Sequence, residues 1–437
     1  MSEPAPLRVL HVLEAVRGGT LRYVLDVVSA TPGTEHHVAL PSRQGLAGRS
    51  GAMVEVTGAD ELEARGAEVH TVDMRRNPLH PANARAVASV TGLISELEPA
   101  VVHGHSSVGG AVARVAATGW SLPGAPFGLR ARRALRTVPA AFTPNGLMTS
   151  APAVAFERLF GPLTSRLIAV SASEGSLAVD LGLVPADRVR VIPNGIELLC
   201  GGEDGPAVGG GRGVAPVGAA RRLAAPGRLA AAGRLRTQLG LPAGTPLIGT
   251  IARMVPQKAP EAVLAAWGEV ARRRPHVHFV WIGLGPRQRS VTRCVAREGL
   301  GRRFHQIPHL AGAASAVGEF DALVLLSRYE GGPYVPLEAM RAGVPVVLSD
   351  VVGNRDTVES GVTGFLVPFG DAAAAADAIV GLLDDRHCRR AIVAAASERL
   401  RRDFGVQLMG ERLAALYREM AVAGPSARVA RIPTVFG

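Results

Sequence analysis

Two glutamates, Glu330 and Glu338, stand eight residues apart around a glycine turn in SRYEGGPYVPLEAMRAGVPVVLSD, residues 327–350. A short apolar run, Ala322 to Leu326, precedes Glu330 and has the character of a buried parallel strand. After Gly331-Gly332-Pro333 comes a helical pattern expected to open at Pro336, where a missing N–H costs nothing. A second apolar run, Val344 to Leu348, follows. Strand, glycine loop, helix and strand form a βα unit whose loop lies at the carboxyl end of the sheet, where open α/β sheets take ligands. Loop amides and a helix N-terminus attract an anion. Two carboxylates beside that anion site suit a ligand whose hydroxyls must be held along with its phosphates. A nucleotide sugar meets both needs. Two acids on a helix surface are the plainer alternative.

Other stretches fit the same chemistry. Arg253 and Lys258 follow the apolar run Leu247 to Ile251, where cations can neutralise a diphosphate leaving group. Lysine occurs once in the chain against 47 arginines, so Lys258 marks a position where a compact ammonium serves better than a guanidinium fork. Gly18-Gly19 follows the first apolar run, Leu7 to Leu13, and Gly283-Leu-Gly285 follows His278 to Ile282. Glycine in these loops lets backbone come close to a ligand, although a simple turn explains each pair equally well. His103-Gly-His105 ends the run from Ala100 and is expected at the cleft edge. No carboxylate or cysteine stands nearby in sequence to complete a metal site, and there is no D-x-D run, so no metal is expected.

These residues need elements to hold them. Apolar runs alternate with helical periodicity through both halves, as in doubly wound sheets. Strands are expected at Leu7 to Leu13, Val38 to Pro41, Glu68 to Asp73, Ala100 to His103, Ala140 to Thr143, Leu167 to Val170 and Val189 to Ile192. A second series runs from Leu247 to Val367. Between them, residues 197–236 are rich in Gly, Ala, Pro and Arg and carry few large apolar side chains, which suits an insertion or linker. The division expected is 1–196, the insertion 197–236, a second domain 237–405, a helix in 406–424 that returns to the first domain, and a loose tail, 425–437.

A chain of 437 residues is long enough for two domains. The formal charge of +11 reflects arginine usage throughout, with no basic arm interleaved with aromatics, so nucleic acid is not an expected partner. The group Arg130, Arg132, Arg133 and Arg136 suits a solvated face or contact with anionic headgroups. Three widely spaced cysteines form neither a disulfide framework nor a zinc motif and point to a reducing cytosol. No run of apolar residues is long enough to span a bilayer, so any membrane contact is expected to be peripheral.

The E-x7-E spacing of Glu330 and Glu338, with Ser349-Asp350 through Asp356 and Gly361 to Val367, resembles the signature of family 4 retaining glycosyltransferases. The R-x4-K pair Arg253/Lys258, the H-x-H-S run at His103 and the loop Gly18-Gly19 are similar to that family as well. The resemblance implies the GT-B arrangement, two Rossmann-like α/β domains facing a central cleft. It also implies transfer of a sugar, with retention, from a UDP- or GDP-linked donor to a glycan or polyprenyl-diphosphate-linked acceptor. No cofactor is implied beyond the nucleotide sugar. The implied setting is cytoplasmic surface-polysaccharide synthesis, with peripheral contact expected at the inner face of the plasma membrane. Glu330, Lys258, Arg253 and His105 are the implied catalytic group. Gly18, Gly19, Asn145, Gly283, Gly285, Gly331, Gly332, Pro333, Tyr334, Val335 and Glu338 are the implied donor contacts. One departure stands out: Thr143-Pro-Asn145-Gly146 carries Asn where the family's T-x-H-G stretch has His. Asn hydrogen-bonds but takes no charge at neutral pH. Alternatives left open are a non-catalytic sugar-nucleotide-binding relative and a GT-B epimerase or phosphorylase. A nicotinamide dehydrogenase is disfavoured because no full GxGxxG follows a strand.

Overall fold

The computed structural model describes residues 6–16, 18–41, 57–118, 137–198, 234–308 and 316–424. The expected tail, the arginine group at 130–136, Cys200 and most of the insertion (199–233) lie outside the described residues. Cys294 and Cys388 are free thiols.

The N-terminal half runs β1 (Leu7–Leu13), α1 (Gly19–Ala30), β2 (Thr34–Leu40), α2 (Thr57–Glu63), β3 (Glu68–Thr71), α3 (Ala82–Leu97), β4 (Val101–His105), α4 (Ser107–Ala117), β5 (Ala140–Thr143), α5 (Ala151–Phe160), β6 (Arg166–Ala169), α6 (Ala172–Asp180) and β7 (Val189–Val191). The C-terminal half continues with α7 (Arg234–Gln238), β8 (Leu247–Ile251), α8 (Pro260–Arg273), β9 (His278–Ile282), α9 (Gln288–Arg297), β10 (Phe304–Ile307), β11 (Ala322–Leu325), α10 (Tyr334–Arg341), β12 (Val346–Ser349), α11 (Asn354–Thr357), β13 (Phe365–Val367), α12 (Ala372–Asp384), α13 (Arg386–Asp403) and α14 (Val406–Ala423).

The strands form two wholly parallel sheets, a seven-stranded one in the order β3-β2-β1-β4-β5-β6-β7 and a six-stranded one in the order β10-β9-β8-β11-β12-β13. The strand order reverses between β1 and β4 in the first sheet and between β8 and β11 in the second. Such switch points leave a crevice outside the carboxyl ends of the strands. The expected α/β fold of two doubly wound sheets is what forms. Its central strands are buried on both sides: Val346, Val347 and Leu348 are fully enclosed, as are Ala322, Leu323 and Val324.

α14 does not stay with the second sheet. Its Met409, Leu413, Leu416, Tyr417 and Met420 pack with Val9, Tyr23 and Val24 of the first. Gly410 has no room for a side chain, since a Cβ there would lie 2.0 Å from the Ala30 carbonyl oxygen. At the other boundary, ordered packing resumes at Leu235, which is 2% exposed in the second core. Glu319 fixes that start by accepting from the Leu235 and Arg236 amides.

Among the expected boundaries that move, two bear on the site. α10 begins at Tyr334 with Pro333 as its cap, two residues before Pro336, which then sits in a first turn whose amides have no helical partner in any case. β4 runs to His105, two residues beyond the expected end, so both histidines lie within the strand. Among the described residues no helix is long and apolar enough to cross a membrane.

Candidate functional site

The second sheet's switch point brings the chemistry together. The loop after β8 carries Arg253 and Lys258, and the loop after β11 carries Glu330. The Lys258 ammonium donates to Glu330 Oε1 at 2.5 Å. Glu330 is only 5% exposed, so this is a largely desolvated pair. Backbone locks the two loops: the Arg328 amide donates to the Gln257 carbonyl at 2.8 Å, and Gln257 Nε2 donates to the Tyr329 carbonyl at 3.1 Å. Ala259, in the left-handed region at φ 42°, turns the chain from the lysine into α8. Arg253 stands exposed on the same loop, unattached among the described residues and able to meet an anion. Gly283 and Gly285 lie alongside it. A Cβ at Gly283 would lie 2.3 Å from the Ala252 carbonyl oxygen, and one at Gly285 the same distance from that of Met254. Their bareness is therefore explained by loop-against-loop packing that seats Arg253.

Gly331 and Gly332 meet the first sheet. A Cβ at Gly331 would sit 2.6 Å from the Gly146 amide nitrogen. The Gly332 carbonyl accepts from Asn194 Nδ2 at 2.5 Å. Ser173 donates to Asp356 and accepts from the Gly353 amide, so α6 of the first half grips α11 of the second. Asn145 faces this junction in the left-handed region, φ 56°, with its Nδ2 donating to the Thr143 carbonyl at 3.5 Å. Glu338, one turn into α10, lies 3.9 Å from the Arg22 guanidinium of α1. Arg22 is also held by Asp26 at 2.8 Å and stacks 5.5 Å from the Tyr334 ring centre. Burial raises the Glu338 carboxyl above its ordinary value, opposed by Arg22. Pro333 and Val335 flank Tyr334 at the helix start, Pro333 buried and Val335 half-buried. Gly18 opens α1 at φ 85°, and among the described residues nothing lies within 4 Å of where a Cβ would stand on it or on Gly19. That open backbone sits at the first sheet's switch point.

Three further residues complete the arrangement. Arg22 is one. Glu14 is the second: its carboxylate accepts from the Val108 and Gly109 amides at 2.6 and 3.1 Å, filling the N-terminus of α4 with the chain's own anion. Glu174 is the third. Ser171 caps α6 by accepting from the Glu174 amide, the first half of a capping box. The Glu174 carboxylate instead accepts from Gly146 at 2.7 Å and Val170 at 2.9 Å, clamping the loop that carries Asn145. It is fully enclosed, and burial pushes its carboxyl up to about 7. The S-x-x-E spacing was visible in the sequence; its diversion onto a distant loop was not.

His105 departs from its expected place at the cleft edge. It is fully buried, with His103, on the sheet face covered by α1 and α14. The extra two residues of β4 explain this, because alternation puts both rings on one enclosed face. Thr31 fixes the proton positions in this histidine row. Its single hydroxyl proton goes to the Val27 carbonyl, so it accepts from His36 Nε2 at 2.7 Å. His36 Nδ1 then accepts from His11 Nε2 at 3.0 Å, and His11 Nδ1 accepts from His105 Nε2 at 3.1 Å. The row ends on His105 Nδ1, which has no partner among the described residues. His103 bonds Tyr417 and Thr143 at 2.7 and 2.8 Å. Burial lowers every one of these imidazoles, His36 to about 4 and His103 to about 3. His11, His103 and His105 also bring three ring nitrogens within 4.8 Å of one another, a grouping the sequence spacing did not reveal.

The family described as "Glycosyl transferases group 1" matches residues 233–399, and "Glycosyl transferase 4-like domain" matches residues 18–195. The chain belongs to the group 1 glycosyltransferases. Among curated relatives of this chain, an alpha-D-kanosaminyltransferase of Streptomyces kanamyceticus is 30% identical over 43% of this chain and 49% of its own. A D-inositol 3-phosphate glycosyltransferase of Frankia alni is 29% identical over 68% of each chain. The chain spans about half the length of several curated relatives that it matches. Among solved structures, HepE of Anabaena in complex with UDP and glucose shares the fold at a TM-score of 0.72 and 18% identity, covering 94% of this chain and 100% of that one.

Proposed function

We propose that this chain moves a sugar from a UDP- or GDP-linked donor to a glycan or lipid-linked glycan acceptor, with retention at the anomeric carbon. The observation that carries the reading is the desolvated Lys258–Glu330 pair at the switch point between β8 and β11, with exposed Arg253 on the same loop. In this reading Arg253 and Lys258 stabilise the departing diphosphate, and Glu338 holds ribose hydroxyls once Arg22 yields it. Glu330 faces the sugar ring and its developing positive charge. Asn145, Tyr334, Val335 and the glycine loops shape the donor pocket. The acceptor attacks from the face the diphosphate leaves, and the departing phosphate takes up its proton. His105 has no surface to offer a ligand and is proposed to act only through the packing beneath the Gly18-Gly19 loop. A cytoplasmic enzyme at the inner face of the plasma membrane, building surface polysaccharide without a catalytic metal, completes the reading.

The test pairs donor binding with turnover. Thermal shifts with UDP- and GDP-sugars should select one donor class, since a ligand of the native state raises the melting temperature by mass action. Lys258→Ala should then lower kcat by about 10²–10³-fold, the scale for removing one group that stabilises developing charge. A Lys258→Ala enzyme with undiminished kcat contradicts the assignment. A second reading, donor binding without transfer, is favoured by Asn145 in place of the family's histidine. Selective donor shifts with no turnover on any acceptor would support it.

A further inference from the structure

A second cluster of imidazoles lies at the far edge of the first sheet, away from the donor site. His37 on β2 and Glu68 and His70 on the edge strand β3 share one sheet face, because His37 is in register with Glu68, and Ala39 with His70. His37 Nδ1 lies 3.1 Å from His70 Nε2 and 3.4 Å from Glu68 Oε2, and His70 Nε2 lies 3.7 Å from Glu68 Oε1. We propose that His37, Glu68 and His70 form a binding site for a divalent zinc-like cation that clamps β3 to β2.

The geometry suits the ion. Nitrogen and oxygen donors at about 2.0–2.1 Å from tetrahedral zinc stand about 3.3–3.4 Å apart, and the three separations bracket that value. The outer groups are built as well. Arg8 holds Glu35 with two parallel bonds at 2.9 and 3.0 Å, fixing it as an acceptor. His37 Nε2 must therefore donate to Glu35 Oε1, at 2.9 Å, which leaves its Nδ1 lone pair aimed at His70 and Glu68. A carboxylate that orients a ligating imidazole is the usual second partner at zinc. Arg8 also donates to the Leu97 carbonyl at the end of α3, so the carbonyl end of that helix lies beside the cluster and favours positive charge. His37 is 2% exposed, and the Glu68 side chain 65%, so an ion enters from the Glu68 side and keeps one position for water.

Without metal, His70 Nε2–H donates to His37 Nδ1. Loading moves that proton to His70 Nδ1 and turns both lone pairs to the ion, with no net proton released. Among the described residues the competing group is His11, His103 and His105. Its nitrogens are enclosed, all but His105 Nδ1 are engaged with one another, with His36, with Thr143 or with Tyr417, and it offers no carboxylate.

The experiment is calorimetric titration of Zn2+ into the full chain, free of any histidine tag and stripped with EDTA. Co2+ serves as a spectroscopic probe of tetrahedral coordination. One equivalent per chain, with a raised melting temperature and a tetrahedral Co2+ spectrum, is expected. His70→Ala and Glu68→Gln, both at the partly exposed edge, should each abolish the spectrum, and Glu35→Gln should weaken affinity by about ten- to a hundredfold. Absence of stoichiometric binding overturns the proposal. So does an unchanged equivalent in the His70→Ala and Glu68→Gln chains, which would put the ion elsewhere.

Discussion

At the scale of single residues, the donor loop depends on groups that never touch donor. Glu174 holds the Gly146 amide, and so sets where Asn145 points. Ionised, its two oxygens serve Gly146 and Val170 together; protonated, it loses part of that acceptor capacity. Its carboxyl titrates near 7 because burial raises it. Activity of the native chain should therefore fall as pH drops through about 7. Glu174→Gln should lower kcat about tenfold, the loss of one charge-assisted bond of about 1.5 kcal/mol, and should abolish the inflection near 7. A pH–rate profile measured on both chains checks this, and an inflection that persists in Glu174→Gln refutes it.

At the scale of elements, β4 and α10 show how a shift of two residues changes function. Extending β4 to His105 takes a histidine from the cleft edge into the core. Starting α10 at Tyr334 puts that ring against Arg22 of α1 and brings Glu338 to the same cation. The glycine turn before α10 is equally constrained. A methyl at Gly331 would lie 2.6 Å from the Gly146 nitrogen and 2.8 Å from the Asn145 carbonyl carbon, so the two halves must part to admit it. Gly331→Ala should raise KM for the donor at least tenfold while leaving the melting temperature within a few degrees. Donor titration together with solution scattering, which should report a wider cleft, tests this. An unaltered KM would show that the close approach is dispensable.

At the scale of the whole molecule, the neutral histidine row ties stability to pH. His11, His36, His103 and His105 are all depressed by burial below the unfolded value near 6.5. Between about 6.5 and 4 the unfolded chain takes up protons that the folded chain refuses. Stability is thus fully present above 6.5 and is lost as pH falls, by about 1.4 kcal/mol per pH unit for each histidine well below 6.5. The buried carboxyls Glu174, Glu338, Glu14 and Asp26, all raised by burial, work in the other direction, Glu174 over 7 to 4.5, while His70, His278 and His305, lowered by burial, add to the histidine side. Urea unfolding should show a clearly lower midpoint at pH 5 than at pH 7. Equal midpoints would mean that these rings are not held neutral.

The parallel strands and the βα unit around Glu330 were legible in the sequence because apolar runs and periodicity are local. Leu7 to Leu13 was expected as a strand to the residue. The pairing of Glu330 with Arg253 and Lys258 as one site was legible only through resemblance, since 72 positions separate Lys258 from its partner. Whether a histidine at a strand's end faces ligand or core depends on which helix crosses that face. Here the covering helix, α14, begins some 300 residues after β4. The clamp of Glu174 on Gly146, Arg22 on Glu338, and His37 beside Glu68 and His70 likewise arise from distant chain segments. Chain order sets which residue types are available; strand order and sheet register decide which of them meet, because hydrogen bonds and ion pairs act over a few ångströms of space and are indifferent to separation along the chain.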